Sequence, residues 1–176
     1  MITLRKAKED DLAIVQQIGT TTYGPTYTHL LGQEQVDYML NKFYSRAALL
    51  EQFIEGHTFL IAAAGGKDIA FAAYSIVNHE EYIYKLHKLY VLPEAHGKGA
   101  GKFLINEVVN NAREAGGKKL RLNVNRYNKA KDFYEKAGFK NIETVDIEIG
   151  NGFYMNDYVM EIDIADLPGG TSSSLT

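Results

Sequence analysis

Ile2 and Leu4 alternate with polar neighbours, the two-residue period of a short strand. The spacing then lengthens to three and four residues. Leu12, Val15, Ile18 and Gly19 make one face of a helix that Asp10 or Asp11 can cap. Thr20 to Gly32 breaks this pattern with Gly24-Pro25 and carries Tyr23, Tyr27 and His29, so it is expected to form an irregular lid. Helical spacing resumes at Val36, Met39, Leu40 and Phe43. Ser45 then stands as the N-cap of a short helix through Leu49, Leu50, Phe53 and Ile54.

Strand patterns follow. Thr58 to Ala64 and Ile69 to Val77 flank a tight turn at Gly65-Gly66-Lys67-Asp68, and Tyr82 to Leu92 adds a third strand. Leu104, Ile105, Val108, Val109, Ala112 and Ala115 return to helical spacing, which Gly116-Gly117 stops. Leu120, Leu122 and Val124 alternate with Arg121, Asn123 and Asn125, a strand. Asn128 to Ala137 is helical and ends at Gly138. Val145, Ile147 and Ile149 pair across Gly150-Asn151-Gly152 with Tyr158, Met160, Ile162 and Ile164 as a closing hairpin. A meander followed by crossovers predicts an α/β chain with a mixed sheet and helices on both faces. Residues 1–165 are expected to be one domain, and residues 166–176, rich in Gly and Ser, a disordered tail.

Composition narrows the chemistry. A net charge of −3 over 176 residues argues against a nucleic-acid binder, although lysines gather at Lys98, Lys102, Lys118 and Lys119. Without cysteine the chain has no disulfide, no thiolate metal site and no cysteine nucleophile. His79, His87 and His96 lack the spacing of a metal set. The charged start and the absence of a long apolar run predict a cytoplasmic protein without a membrane segment.

Gly97, Gly99 and Gly101 stand between an apolar strand and an amphipathic helix. That order aims free backbone N–H groups and the positive end of a helix dipole at one point, which suits phosphate. The dinucleotide fingerprint fails, because Lys102 takes the place of its third glycine. The nucleotide-triphosphate loop fails because Phe103 follows Gly101-Lys102.

The run His96-Gly97-Lys98-Gly99-Ala100-Gly101, together with Asn128 to Phe139 downstream, resembles the two hallmark motifs of the GNAT superfamily of acyl-coenzyme A-dependent N-acetyltransferases. His96 departs from the family's Arg or Gln, and Ala130 stands one residue closer to Asn128 than the pattern has it. The resemblance implies a mixed, mostly antiparallel sheet of about six to seven strands. It implies acetyl-CoA as co-substrate, with no metal. The loop His96, Gly97, Lys98, Gly99, Ala100, Gly101 and Lys102 would hold the pyrophosphate. The main chain of Leu89, Tyr90 and Val91, with Asn128, would hold the pantetheine arm and supply the oxyanion donor; Lys131 and Lys136 would meet the nucleotide phosphates.

Acetyl transfer to an amine needs a base, because an alkylammonium with pKa about 10.4 is charged at neutral pH. It also profits from a proton donor to the leaving thiolate. Tyr134 matches the family tyrosine given the donor role. His87 stands where many relatives carry a glutamate and is the candidate base; Lys85 and Lys88 are expected to depress its pKa. The segment Thr22 to Tyr27, the helices over Gln33 to Ile54 and Phe153-Tyr154-Met155 resemble the bacterial polyamine (spermine/spermidine) N-acetyltransferases. That likeness makes Tyr23, Tyr27, Tyr84 and Tyr154 candidate binders of a small-molecule amine. A protein or peptide acetyltransferase, a weakly catalytic acyl-CoA sensor and a nucleotide-binding regulator are the alternatives. An exposed final strand is expected to allow a homodimer.

Overall fold

The computed structural model describes residues 1–167. From residue 168 on, the expected tail lies outside the described residues. The elements are β1 (Ile2–Lys6), α1 (Leu12–Leu31), α2 (Gln33–Tyr44), α3 (Arg46–Ile54), β2 (Thr58–Ala64), β3 (Lys67–Asn78) and β4 (Ile83–Val91). They continue with α4 (Ala100–Glu114), β5 (Lys119–Asn125), α5 (Ala130–Lys136), β6 (Lys140–Gly150) and β7 (Phe153–Asp163). The seven strands form one sheet in the order β1-β2-β3-β4-β5-β7-β6. Every neighbouring pair is antiparallel except β4 and β5, which α4 joins as the crossover that a parallel pair requires.

Helices cover both faces. Phe71 turns its ring toward Gly19 of α1, whereas Tyr74, three residues on and so on the other face, meets Asn111 of α4. The predicted stripe of α4 is buried at Leu104, Ile105, Val108, Val109 and Ala112, while Ala115 is the exposed C-cap, and Leu120, Leu122 and Val124 form the buried row of β5. Phe59 and Ile61 of β2 and Phe71 of β3 are fully buried. Gly19 is required for a close approach, since a Cβ there would lie 2.6 Å from the Tyr44 ring.

Three expectations change. Ser45 does cap α3, accepting from the Ala48 N–H at 3.1 Å, but a 3-10 turn over Glu9–Asp11 precedes α1, and the Asp11 carboxylate accepts from the Lys8 N–H. Thr20 to Gly32 is no irregular lid: α1 runs through Pro25 to Leu31. The Thr22 and Thr26 hydroxyls donate to the carbonyls of Ile18 and Thr22. Tyr23 is buried with its ring 4.6, 5.5 and 6.2 Å from those of Tyr27, Tyr44 and Tyr90. Tertiary packing of that face outweighs the local cost of a proline within a helix. The final strand is not exposed either. The hairpin folds β7 between β5 and β6, so the edge at this end of the sheet is β6, and β1 is the edge at the other.

Candidate active site at the divergence of two strands

β4 and β5 pair only from Ile83 to Leu86 and from Lys119 to Leu122. Beyond that they diverge while β4 continues to Val91 and β5 to Asn125. Two cavities of about 840 and 740 Å³ open at the divergence and share Tyr27, Leu86, His87, Lys88, Tyr90 and Asn123 as walls. Both volumes are in the range of small-molecule sites.

A β-bulge sets the chemistry of this junction. Lys88 lies opposite Ala73 and Leu86 opposite Tyr74, which leaves His87 as an extra residue in β4. Simple alternation would put Lys88 on the face opposite His87. The bulge instead resets the phase, so that Lys85, Lys88 and Tyr90 stand opposite Ser75, Ala73 and Phe71 on one face, the α1 face. His87 joins them. Its Nε2 is 2.7 Å from Ser75 Oγ, and its ring stacks on His57 at 4.1 Å with planes 5° apart.

The smaller cavity is built around the glycine loop. Gly97 and Gly99 both have φ of +82°, the left-handed region that favours glycine, and Gly99 is the N-cap of the 15-residue α4. The first backbone N–H groups of that helix lack partners inside it and face the loop, which fits a phosphate-bearing ligand. His96 Nε2 lies 3.0 Å from the Val91 carbonyl and holds the loop against β4. Leu89, Tyr90, Val91, Ala100, Gly101, Lys102, Asn128 and Tyr134 also line this cavity. The Asn128 amide donates to the Tyr27 hydroxyl at 2.8 Å, and its oxygen accepts from the Ala130 N–H as α5 begins. Tyr134 is 9% exposed; burial, with a smaller effect of the Tyr27 phenol, pushes its pKa above the ordinary phenol value. It therefore holds its proton at neutral pH.

Three expected phosphate contacts are not assembled. Lys98 sits between two of the glycines but does not line the cavity. Lys131 lies 4.7 Å over the Tyr158 ring and is 3.3 Å from Glu135, and Lys136 points into solvent at the end of α5. Lys136, two residues after the buried Tyr134, falls on the opposite side of α5, whereas Lys131 is drawn to Tyr158 and Glu135.

The larger cavity draws on α1, α2, α3, β4, β5, β6 and β7. Tyr23, Tyr27 and the half-exposed Tyr154 line it. Tyr84 does not; it lies opposite Ile76 on the α4 face, against Tyr74 and Gly117. Asp157, on β7, is a site residue that the strand pattern left unnoticed. It is 3% exposed, and Asn123 Nδ2 at 3.5 Å is its hydrogen-bond partner. Burial pushes its pKa up, opposed by Asn123, Lys85 and Arg126. The signal was there: Asp157 continues the row of Phe153 and Met155, a carboxylate on the inward side of a strand. Burial lowers the pKa of Lys85 and brings that of Lys88 down to about 8. Burial, then His57, Lys85 and Lys88, bring His87 down to about 3. His87 is thus neutral across the physiological range and a weak proton acceptor. Among the described residues no His, Asp and Glu cluster is arranged for a metal, and no helix is long and apolar enough to cross a membrane.

Residues 28–162 match the family described as an acetyltransferase (GNAT) domain. An uncharacterized N-acetyltransferase of Mycobacterium tuberculosis is 35% identical over 102 residues, which are 57% of this chain and 64% of that protein. The chain thus spans less than two thirds of the length of this relative. A spermidine N(1)-acetyltransferase of Thermoplasma acidophilum is 29% identical over 160 residues, 88% of this chain and 95% of that one. The crystal structure of the PaiA N-acetyltransferase from Thermoplasma acidophilum in complex with coenzyme A superposes with a TM-score of 0.77. It is 27% identical and covers 93% of this chain and 99% of its own.

Proposed function

This chain belongs to the GNAT acetyltransferase family, and from that premise we propose that it moves the acetyl group of acetyl-CoA directly to the primary amine of a small molecule. Residues 1–165 act as one cytoplasmic acyltransferase domain. The observation that carries the reading is the meeting of two cavities at the β4–β5 divergence, one walled by a glycine loop and helix N-terminus, the other by a buried carboxylate and aromatic rings. The complex of the Thermoplasma structure with coenzyme A supports the assignment of the donor side.

The loop from His96 to Lys102 binds the pyrophosphate, chiefly through backbone N–H groups. The unpaired edge of Leu89, Tyr90 and Val91 orients the pantetheine arm and the acetyl carbonyl, with Asn128 beside it. A neutral amine attacks the acetyl carbon; a C–N bond forms and the C–S bond breaks. Tyr134 gives its proton to the departing sulfur. The amine's surplus proton goes to a carboxylate or imidazole at the junction. Asp157 is the stronger acceptor of the two, since it sits beside Asn123 and near Tyr27, which border both cavities. His87 holds the bulge through Ser75 and His57.

Polyamines are the second reading of the acceptor, supported by the name of the Thermoplasma relative. Tyr23, Tyr27, Tyr154 and Asp157 are the groups that would hold a cationic amine. A homodimer through the free β6 edge, where Ile142 and Ile147 are exposed, belongs to the same reading. The test is thiol release from acetyl-CoA across spermidine, spermine, amino acids and amino-terminal peptides. Turnover with any small amine supports the proposal. Acetyl-CoA binding without turnover on any of them turns it into a sensor.

A further inference from the structure

The charges of the larger cavity are unmatched in a specific way. Lys88 is 7% exposed, yet among the described residues its Nζ has only neutral partners, the Gln52 Oε1 at 2.7 Å and the Tyr44 ring at 5.2 Å. Lys85, half-buried on the same face, has no carboxylate within 4.0 Å among the described residues. Asp157 is buried in the same cavity without a cation at salt-bridge distance among the described residues, so that Lys85 and Arg126 act on it only from farther off, and its hydrogen bond from Asn123 is long at 3.5 Å. A third lysine, Lys42, donates to the Ile149 carbonyl, and Glu148 stands at the exposed rim. His57 and His87 add no charge.

Burying a charge without a partner is costly, and the cost is offset only when a partner arrives. Here two separated demands face one cavity, a carboxylate asking for a cation and a lysine pair asking for an anion. A polyamine answers only the first and brings further ammonium groups toward Lys85 and Lys88. A molecule with an amine at one end and a carboxylate at the other answers both. The His87 bulge creates this polarity, because it alone turns Lys88 to the same face as Lys85.

We infer that the amine acceptor is a small amino-carboxylate, with its amine toward Asp157 and its carboxylate held by Lys85 and Lys88. The inference rests on the acetyltransferase reading and names its substrate class. Matched pairs that differ by one carboxylate test it, cadaverine against lysine and putrescine against ornithine, with spermidine as the polycation. Thiol release gives kcat/KM, and calorimetry on the coenzyme A-loaded protein gives affinity independently of turnover. The expected result is a preference of at least about tenfold for the amino acid of each pair, the worth of one charge-assisted contact. Lys85→Met and Lys88→Met each reduce that ratio toward one. Lys85→Gln, at the less buried of the two lysines, serves if Lys88→Met fails to fold. Preference for the diamine or spermidine, an unchanged ratio in the lysine variants, or neither binding nor turnover in any arm overturns it. Tighter binding of the amino acids without thiol release sinks the acetyltransferase reading and leaves the cavity as an amino-carboxylate binding site only. Equal turnover of both pair members keeps that reading and overturns this inference.

Discussion

The two cavities are built on different principles. Loop geometry and free main-chain groups make the floor of the donor cavity around residues 93–102, with β4, β5, the start of α5 and one face of α1 (residues 22–27) as its walls. The acceptor cavity is a mosaic of side chains from three helices and four strands, and its charged groups are remote in sequence. Backbone sites depend on local conformation, so they tolerate side-chain change around them. Mosaic sites depend on the register of every strand that contributes. A single extra residue, His87, decides whether Lys88 faces the acceptor or the opposite layer.

The sharpest test of that contrast is Tyr134→Phe, which keeps the ring and removes the proton donor. Turnover should fall about 10²- to 10⁴-fold with coenzyme A affinity unchanged; undiminished turnover removes Tyr134 from the mechanism. Asp157→Asn should lower kcat by about 10- to 100-fold without weakening coenzyme A. The raised pKa of Asp157 adds a pH signature. Activity should fall as pH drops through a value above the ordinary carboxylate, about 3.9, and the variant should lose that limb. Retention of the limb transfers the proton to another group. On the donor side, Gly99→Val forces a β-branched residue into φ of +82°. The strain of about 1–2 kcal/mol should cost about tenfold in coenzyme A affinity while circular dichroism stays native.

Lys88→Met probes the acceptor side through stability. In the folded chain Lys88 titrates at about 8, below its ordinary value, so the unfolded chain binds more protons between the two. Stability therefore rises with pH across that window, and the cost of the buried ammonium is complete below it. Replacing the ammonium by a thioether should stabilise the protein by about 1–3 kcal/mol at pH 7, read as a higher Tm. The gain should shrink as pH climbs from 8 toward 10. A Tm that falls instead means that the contacts of Lys88 with Gln52 and Tyr44 outweigh the cost of burying its charge. The smallest effect is expected at Lys131→Ala and Lys136→Ala, where coenzyme A affinity should change by less than about twofold, or roughly 0.4 kcal/mol. A larger loss in titration calorimetry would return these lysines to the phosphate site.

Much of the frame was readable in the chain. The alternation in β5 and the stripe of α4 match the buried rows, and the three loop glycines lie where an apolar strand gives way to a helix. Local breakers misled at α1, because Gly24-Pro25 reads as a loop while the spacing of Tyr23, Tyr27 and Leu31 fits one helical face. Lys131 and Lys136 illustrate the converse, since sequence proximity to Tyr134 says little about where a lysine points. Asp157 was missed because one acid in an apolar row looks like a solvated strand position until β7 is seen between two neighbours.

By itself the sequence determined most of the elements, α1 beyond Thr20 excepted, with the glycine loop and the tyrosine helix, because each depends on periodicity and backbone conformation within a short stretch. Only the tertiary structure decided the acceptor side. Strand order puts Asp157 beside Asn123, and the bulge turns Lys85 and Lys88 to one face. Whether a buried charge has a partner depends on groups far apart in the chain, and periodicity carries no record of them.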